Sequence, residues 1–255
     1  RGAALATVIS QSIGLIWILI HYLNKNTSVR FKPGIFKLRG RIIMSIFSIG
    51  MSPFLMNLAA CFIVIIINQG LKKYGGDLAI GAFGIVNRLV FIVVMIVMGL
   101  NQGMKPIAGY NFGAKLYGRV NKVLRLTIIY ATAVTTFGFL VGMLVPDLVV
   151  GIFTSDAELT ELSVTGLRIT VMFFPIIGFQ MVTSNFFQSI GMAGKAIFLS
   201  LTRQMLILLP CLLVLPQFFG VAGVWYSMPV SDLLASLIAL VMLVCQFRKF
   251  RTSPL

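Results

Sequence analysis

One acid, Asp232, stands deep inside an apolar run, 221–245, in a chain that carries only six Asp and Glu against 21 Lys and Arg. It lies about ten residues from one end of that run, or roughly 15 Å along a helix at 1.5 Å per residue. A carboxylate at such depth in hydrocarbon is costly enough to make it a candidate for carrying a proton or a cation. The competing reading is structural: an ion pair, or a hydrogen bond to Ser231 or Tyr226. Arg88 sits about nine residues into the run 79–101, at similar depth, and pairs with Asp232 if those two helices are neighbours. Arg203 also falls within an apolar run, 196–216.

A second constellation lies in the run 167–190. Gly178, Met181, Asn185 and Gln188 follow a three-four-three spacing that puts them on one helix face, with Phe174 one turn earlier and the amide Gln180 nearby. Amide, thioether and aromatic groups together suit an adaptable cavity for large organic cations, through cation–π attraction and pliable Met packing. Polar side chains on such a face also serve simply to bond one helix to another. Asn57, close to Met56 and Phe54, poses the same choice in the run 42–68.

Other chemistries have no residues to carry them. There is no phosphate-cradling Gly loop, HExxH helix or nucleophile elbow, so neither ATP-driven pumping nor hydrolysis has a basis here. Cys61, Cys211 and Cys245 lie in separate apolar runs without metal-ligand spacing, and they read as small apolar side chains. The formal charge of +15 does not indicate nucleic acid, because the basic residues gather in short clusters between apolar stretches. His21, beside Tyr22 at a helix end, reads as interfacial.

The elements that hold these residues follow from composition. Of the 255 residues 58% are hydrophobic and 11% charged, and the mean hydropathy is +1.00. Apolar stretches of about 20 residues match a hydrocarbon core of roughly 30 Å. Seven spans are predicted, at 3–22, 42–68, 79–101, 126–145, 167–190, 196–216 and 221–245. They are read as helices, which satisfy their own backbone hydrogen bonds in lipid, so the fold class is an all-α polytopic membrane bundle.

The connections are asymmetric in charge. The first carries Lys25, Arg30, Lys32, Lys37, Arg39 and Arg41, and the third Lys105, Lys115, Arg119, Lys122 and Arg125; with Lys195, Arg203, Arg248, Lys249 and Arg251 they put sixteen of the basic residues on one side. Five of the six acids fall in the alternate connections. The positive-inside rule then gives an outer N-terminus and a cytoplasmic C-terminus. Ser155-Asp156-Ala157-Glu158 has the pattern of a capping box opening a helix into the fifth span, or of acids that draw cations to an outer vestibule. Pro53, Pro175, Pro210 and Pro229 fall inside spans, where each removes a backbone bond and can kink the helix. Pro53 and Pro175 are hinge candidates. Pro106 is expected to end the third span, with Gly109 and Gly113 permitting tight turns beside it, either as a hinge or as an ordinary cytoplasmic loop. The Gly99/Gly103 and Gly138/Gly142 pairs have the spacing that lets helices approach closely.

The first and last spans share a pattern. Gly2-Ala-Ala-Leu-Ala-Thr-Val-Ile-Ser10-Gln11 aligns without gaps to Gly223-Val-Trp-Tyr-Ser-Met-Pro-Val-Ser231-Asp232, an offset of 221 residues. Transporters are commonly built from repeated helical halves. With an N-terminus of Arg1 and Gly2 and no signal peptide, the chain is expected to be a fragment lacking about five N-terminal helices.

Four stretches resemble the multidrug and toxic compound extrusion (MATE) family of cation-coupled exporters: Gly81-Ala-Phe-Gly-Ile-Val-Asn87-Arg88; Gln102-Gly-Met-Lys-Pro106-Ile-Ala-Gly109-Tyr-Asn-Phe-Gly113-Ala; Phe153-Thr-Ser-Asp156-Ala-Glu158; and Gly223-Val-Trp-Tyr-Ser-Met-Pro229-Val-Ser-Asp232-Leu-Leu. The resemblance covers nearly the whole chain. It implies seven of twelve helices arranged in two pseudo-symmetric six-helix lobes. Residues 1–22 are then the last helix of the N-terminal lobe, 23–41 a basic inter-lobe loop, 42–246 the C-terminal lobe and 247–255 a basic cytoplasmic tail. The implied function is secondary active efflux of amphipathic or cationic organic compounds from the bacterial inner (plasma) membrane by alternating access. No cofactor is implied beyond a transported H+ or Na+, nor any partner beyond lipid and drug, and the protein is expected to be a monomer. Sodium-coupled members are expected to carry acids in the helices that correspond to the second and fifth spans, where this chain has Asn57, Gln180 and Asn185. Coupling by protons through the other lobe is therefore the expectation. The alternatives are a flippase for lipid-linked saccharides, which would line its cavity with several Arg or Lys, and a seven-helix receptor, whose retinal-binding form would need a Lys in the last helix.

Overall fold

A computed structural model describes residues 2–23 and 39–252, and all the regular structure among them is helical. The chain forms two units, residues 1–51 and 52–255. In the first, α1 (Gly2–Leu23) is apolar and exposed along its described side chains. α2 (Gly40–Gly113) begins in this unit and continues into the second.

The second unit is a helical bundle. Its part of α2 includes Asn57–Gly113, whose 57 residues would reach about 85 Å, far more than one crossing of a core about 30 Å thick. Gly76, at φ 68° and ψ −163°, breaks the helix. Only a residue without Cβ adopts that backbone cheaply. Ile63, Ile67 and Leu71 before the break, and Ala79, Ala82, Phe83 and Val86 after it, share one buried cluster with Leu167, Leu212 and Trp225. The stretch therefore serves as two spans. By length and composition the described residues include five helices able to cross a membrane, or six counting one bent pair, before that division of α2.

The third predicted span does not end at Pro106. Its helix runs on through the proline to Gly113 because Met104 and Ala108 are buried in a second cluster with Val182, Phe186 and Phe187. Packing thus outweighs the lost backbone bond. The turn expected of the glycines falls instead on Lys115, at φ 57°. Its N–H donates to the Phe112 carbonyl, and the Leu116 N–H donates to the Asn111 carbonyl, which is the bonding of a Schellman cap. Gly109 has another use: a Cβ there would lie 2.9 Å from the Ser189 carbonyl oxygen, so it marks a close helix crossing. A Cβ on Gly113 would meet open space.

α3 (Tyr117–Leu144) and the short α4 (Pro146–Gly151) follow. The small-residue pair on α3 packs as expected, Gly138 against Val93 and Gly142 against Val171. Gly99 and Gly103 face open space.

The fifth span is not one helix. It divides into α5 (Ala157–Val171) and α6 (Phe174–Ser189), bent by 55°. Pro175 stands in the first turn of α6, where its missing N–H leaves no bond unmade. The capping pattern does open a helix, with Asp156 as the cap: its Oδ1 accepts from the Leu159 N–H at 2.9 Å. The sixth span comprises α7 (Ala193–Leu201), a π-helical segment (Thr202–Leu208) and α8 (Leu209–Phe219). Pro210 follows the π turn directly and can donate to no earlier carbonyl, while Leu209 N–H reaches back five residues to Gln204. Gly220, at φ 57°, turns the chain into α9 (Val221–Thr252), and a Cβ on Gly223 would stand 2.4 Å from the Leu215 carbonyl oxygen.

Candidate functional site

α9 buries a seam of small polar side chains: Ser227, Ser231, Asp232, Ser236 and Gln246, all at most 5% exposed. Ser227, Ser231 and Asp232, and Ser236 follow one another by four or five residues and so share a face of α9, with Gln246 nearly three turns further on. α9 packs against α5, α6, α8 and the π segment. Ser227 Oγ donates to the Gly223 carbonyl, Ser231 Oγ to Met228 and Ser236 Oγ to Asp232. The serines therefore satisfy themselves within their own helix, and the Asp232 carboxylate must find its partner elsewhere.

That partner is Arg203, and neither Arg88, Ser231 nor Tyr226. The Arg203 Nε–H donates to Asp232 Oδ1 at 2.7 Å, the one ion pair among the described residues. Arg203 stands in the π segment, opposite α9, whereas Arg88 is exposed on the second half of α2. Tyr226 is 41% exposed and packs edge-on to Phe219. The sequence held half of the signal: the spans carrying Arg203 and Asp232 are consecutive and joined by a tight turn at Gly220, which makes them neighbours but leaves open which side chains face across. Flanking Arg203, the Thr202 hydroxyl and the Gln204 side-chain oxygen are buried without hydrogen-bond partners among the described residues. The π segment thus carries both an ion pair and unsatisfied polar groups; π-helical turns are frequent at functional sites.

The face read on the fifth span is only partly open. Gly178 is closed against α3, where a Cβ would lie 2.8 Å from the Ala131 carbonyl oxygen. Gln180 is buried, while Met181, Asn185 and Gln188 are half-buried. The Asn185 amide donates to the Met181 carbonyl of its own helix at 2.9 Å. Sequence reasoning missed two neighbouring contacts between α6 and the chain beyond it. Ser184 Oγ meets Ser200 Oγ at 3.0 Å, and Lys195 bonds Gln246 while its Nζ lies 5.3 Å from the Phe187 ring centroid.

Phe174 is the one candidate that lines a cavity of about 240 Å³. Leu89, Val93, Phe137, Val171 and Phe174 are among its walls, and no charged side chain is. Val171 and Phe174 stand on opposite sides of the 55° break. Asn57 is exposed on the part of α2 before Gly76. Pro53 lies within α2, but its side chain and that of Met56 fall outside the described residues. No group of three or more His, Cys, Asp or Glu among the described residues could hold a metal.

Apolar helices long enough to span a bilayer, with a polar seam and an ion pair enclosed among them, define a polytopic α-helical membrane protein. Comparison with known proteins narrows the class. A family model, MatE, matches residues 49–213. Multidrug export protein MepA of Staphylococcus aureus is 28% identical over 239 residues, covering 94% of this chain and 52% of that protein. MepA of Staphylococcus saprophyticus is 25% identical over the same coverage. Among solved structures, the MATE multidrug transporter DinF-BH is 33% identical with a TM-score of 0.85, over 99% of this chain and 56% of that one. An outward-facing multidrug resistance MATE family transporter shares the fold at 20% identity with a TM-score of 0.87, over 99% of this chain and 57% of the other.

The chain belongs to the MatE family, whose members are multidrug efflux transporters of the membrane and not enzymes. It spans about half the length of the relatives it matches.

Proposed function

We propose that this chain forms one lobe of a secondary active exporter that expels amphipathic, often cationic, organic compounds by alternating access, driven by an inward cation gradient. Residues 42–246 form that lobe, 1–22 close the preceding one, and the basic segments 23–41 and 247–255 lie on the cytoplasmic side of a bacterial plasma membrane. The observation that carries the reading is the cavity whose wall includes both sides of the 55° break at Pro175. Bending there changes the shape of a site walled by Phe137 and Phe174, rings that attract organic cations. Gly109, at the crossing with Ser189, holds α2 and α6 as one body during the motion.

Asp232 is engaged by Arg203, which disfavours it as the carrier of the coupling ion and favours a proton carried elsewhere in the transporter. A flippase for lipid-linked saccharides is the weaker reading, because no Lys or Arg lines the cavity. The test is efflux of a fluorescent cationic dye from cells producing the complete transporter, with the proton gradient intact or collapsed. Proton-dependent efflux that survives Asp232→Asn supports the proposal. Loss of efflux from a normally produced Asp232→Asn transporter would move coupling to Asp232, and gradient-independent dye retention would end the export reading.

A further inference from the structure

One stripe of α3 changes character along its length without leaving the same face. Arg119, Lys122 and Arg125 open it, and Ile129, Thr132, Thr136 and Leu140 continue it at intervals of three and four residues. The three basic side chains are exposed, α3 carries no acid anywhere along its length, and the one ion pair among the described residues lies elsewhere. Beyond Arg125, the side chains of Ile128, Ile129, Thr132, Thr136, Phe137 and Leu140 line a shallow open groove formed on this helix alone. From Ile128 to Leu140 that groove runs about 18 Å, close to the roughly 15 Å half-thickness of the hydrocarbon core. Three cations, unpaired among the described residues, therefore stand at the head of a trough one leaflet deep.

We propose that this stripe is a binding site for one anionic phospholipid, with the phosphate-bearing headgroup on Arg119, Lys122 and Arg125 and an acyl chain along Ile129 to Leu140. An ordinary lipid-facing helix offers apolar contact to any lipid and does not discriminate between headgroups. The continuity of charge and groove on one face is what confers preference, since a single molecule satisfies both ends. Basic residues near a membrane surface attract anionic lipid individually, and these three act on the same headgroup. Arginine in particular offers forked donors to phosphate oxygens.

The test is native mass spectrometry of the complete transporter, released from mixed micelles containing phosphatidylglycerol and phosphatidylcholine of identical chains. The native protein is expected to retain phosphatidylglycerol preferentially at low salt. The Arg119→Gln/Lys122→Gln/Arg125→Gln variant should lose at least tenfold of that preference, while a Lys72→Gln/Lys73→Gln control at the Gly76 break keeps it. Ala133→Trp, which fills the groove but leaves the charges, should reduce bound lipid of both kinds. Circular dichroism and a monodisperse elution profile confirm that each variant is folded. Unchanged preference in the triple variant, an equal loss in the control, or displacement of the lipid by millimolar inorganic phosphate would overturn the proposal.

Discussion

Arg203 reaches Asp232 from a π-helical turn, its Nε 2.7 Å from Oδ1, so two consecutive spans are clasped by one charge-assisted hydrogen bond. The carboxylate is almost fully enclosed while the arginine side chain keeps one third of its surface exposed. Removing the arginine strands a carboxylate enclosed by protein, whereas removing the carboxylate leaves a cation whose side chain is only two-thirds enclosed. Arg203→Gln should therefore destabilise the transporter by about 2 kcal/mol or more, and Asp232→Asn by less. The Arg203→Met/Asp232→Leu pair should recover most of the loss. Thermal unfolding of the purified variants, combined as a double-mutant cycle, measures each part.

The buried hydroxyl of Thr202 supplies an opposite expectation. Because it has no partner among the described residues, Thr202→Val keeps the shape and removes a desolvated polar group, raising stability by about 1 kcal/mol. By contrast Ser184→Ala, which breaks the contact with Ser200, should lower it by about 1 kcal/mol. Chemical unfolding of the two variants side by side distinguishes a group that is unsatisfied from one that is bonded.

Close crossings predict which glycines tolerate a methyl group. Gly178→Ala and Gly109→Ala each put a Cβ within 3 Å of a carbonyl oxygen on another helix, and each should cost about 1–3 kcal/mol by overpacking. Gly103→Ala meets open space and should gain up to about 1 kcal/mol from helix propensity. Melting temperatures of the three variants check the ranking.

Lys115 holds a left-handed backbone that favours glycine. Lys115→Gly should stabilise the Schellman turn between α2 and α3 by about 1 kcal/mol, and Lys115→Val should destabilise it. Hydrogen exchange at the Leu116 amide, whose bond to Asn111 closes the turn, slows in the first variant and quickens in the second.

If the break at Pro175 bends during transport, Pro175→Ala lets α5 and α6 join and stiffens the span. Dye efflux should then fall severalfold while stability changes by no more than about 1 kcal/mol, because the proline occupies a first-turn position where its N–H is not needed. Efflux from reconstituted vesicles beside a melting curve separates the mechanical effect from a folding defect.

The membrane class, the helical character and the approximate spans follow from the sequence alone, because hydrocarbon thickness dictates run length and an unsatisfied backbone in lipid excludes other forms. The helix start at Asp156 was also legible, since its cap bond reaches only three residues along the chain. The glycine spacing was legible too, but Gly138 and Gly142 meet Val93 and Val171 of other helices while the same spacing at Gly99 and Gly103 meets open space, so spacing alone did not say which pair packs. What required tertiary structure was the competition between local signals and packing. Pro106 reads as a stop, yet Met104 and Ala108 are enclosed firmly enough to carry the helix past it. The run 167–190 reads as one span that Pro175 can kink, and the packed structure sets the extent of the break, which divides it into two helices bent by 55° just before the proline. Most of all, the partner of Asp232 was undecided among groups at similar depth. Depth comes from counting residues along a span, but which charges meet is set by how the helices are rotated about their axes, and only the packed bundle fixes that rotation.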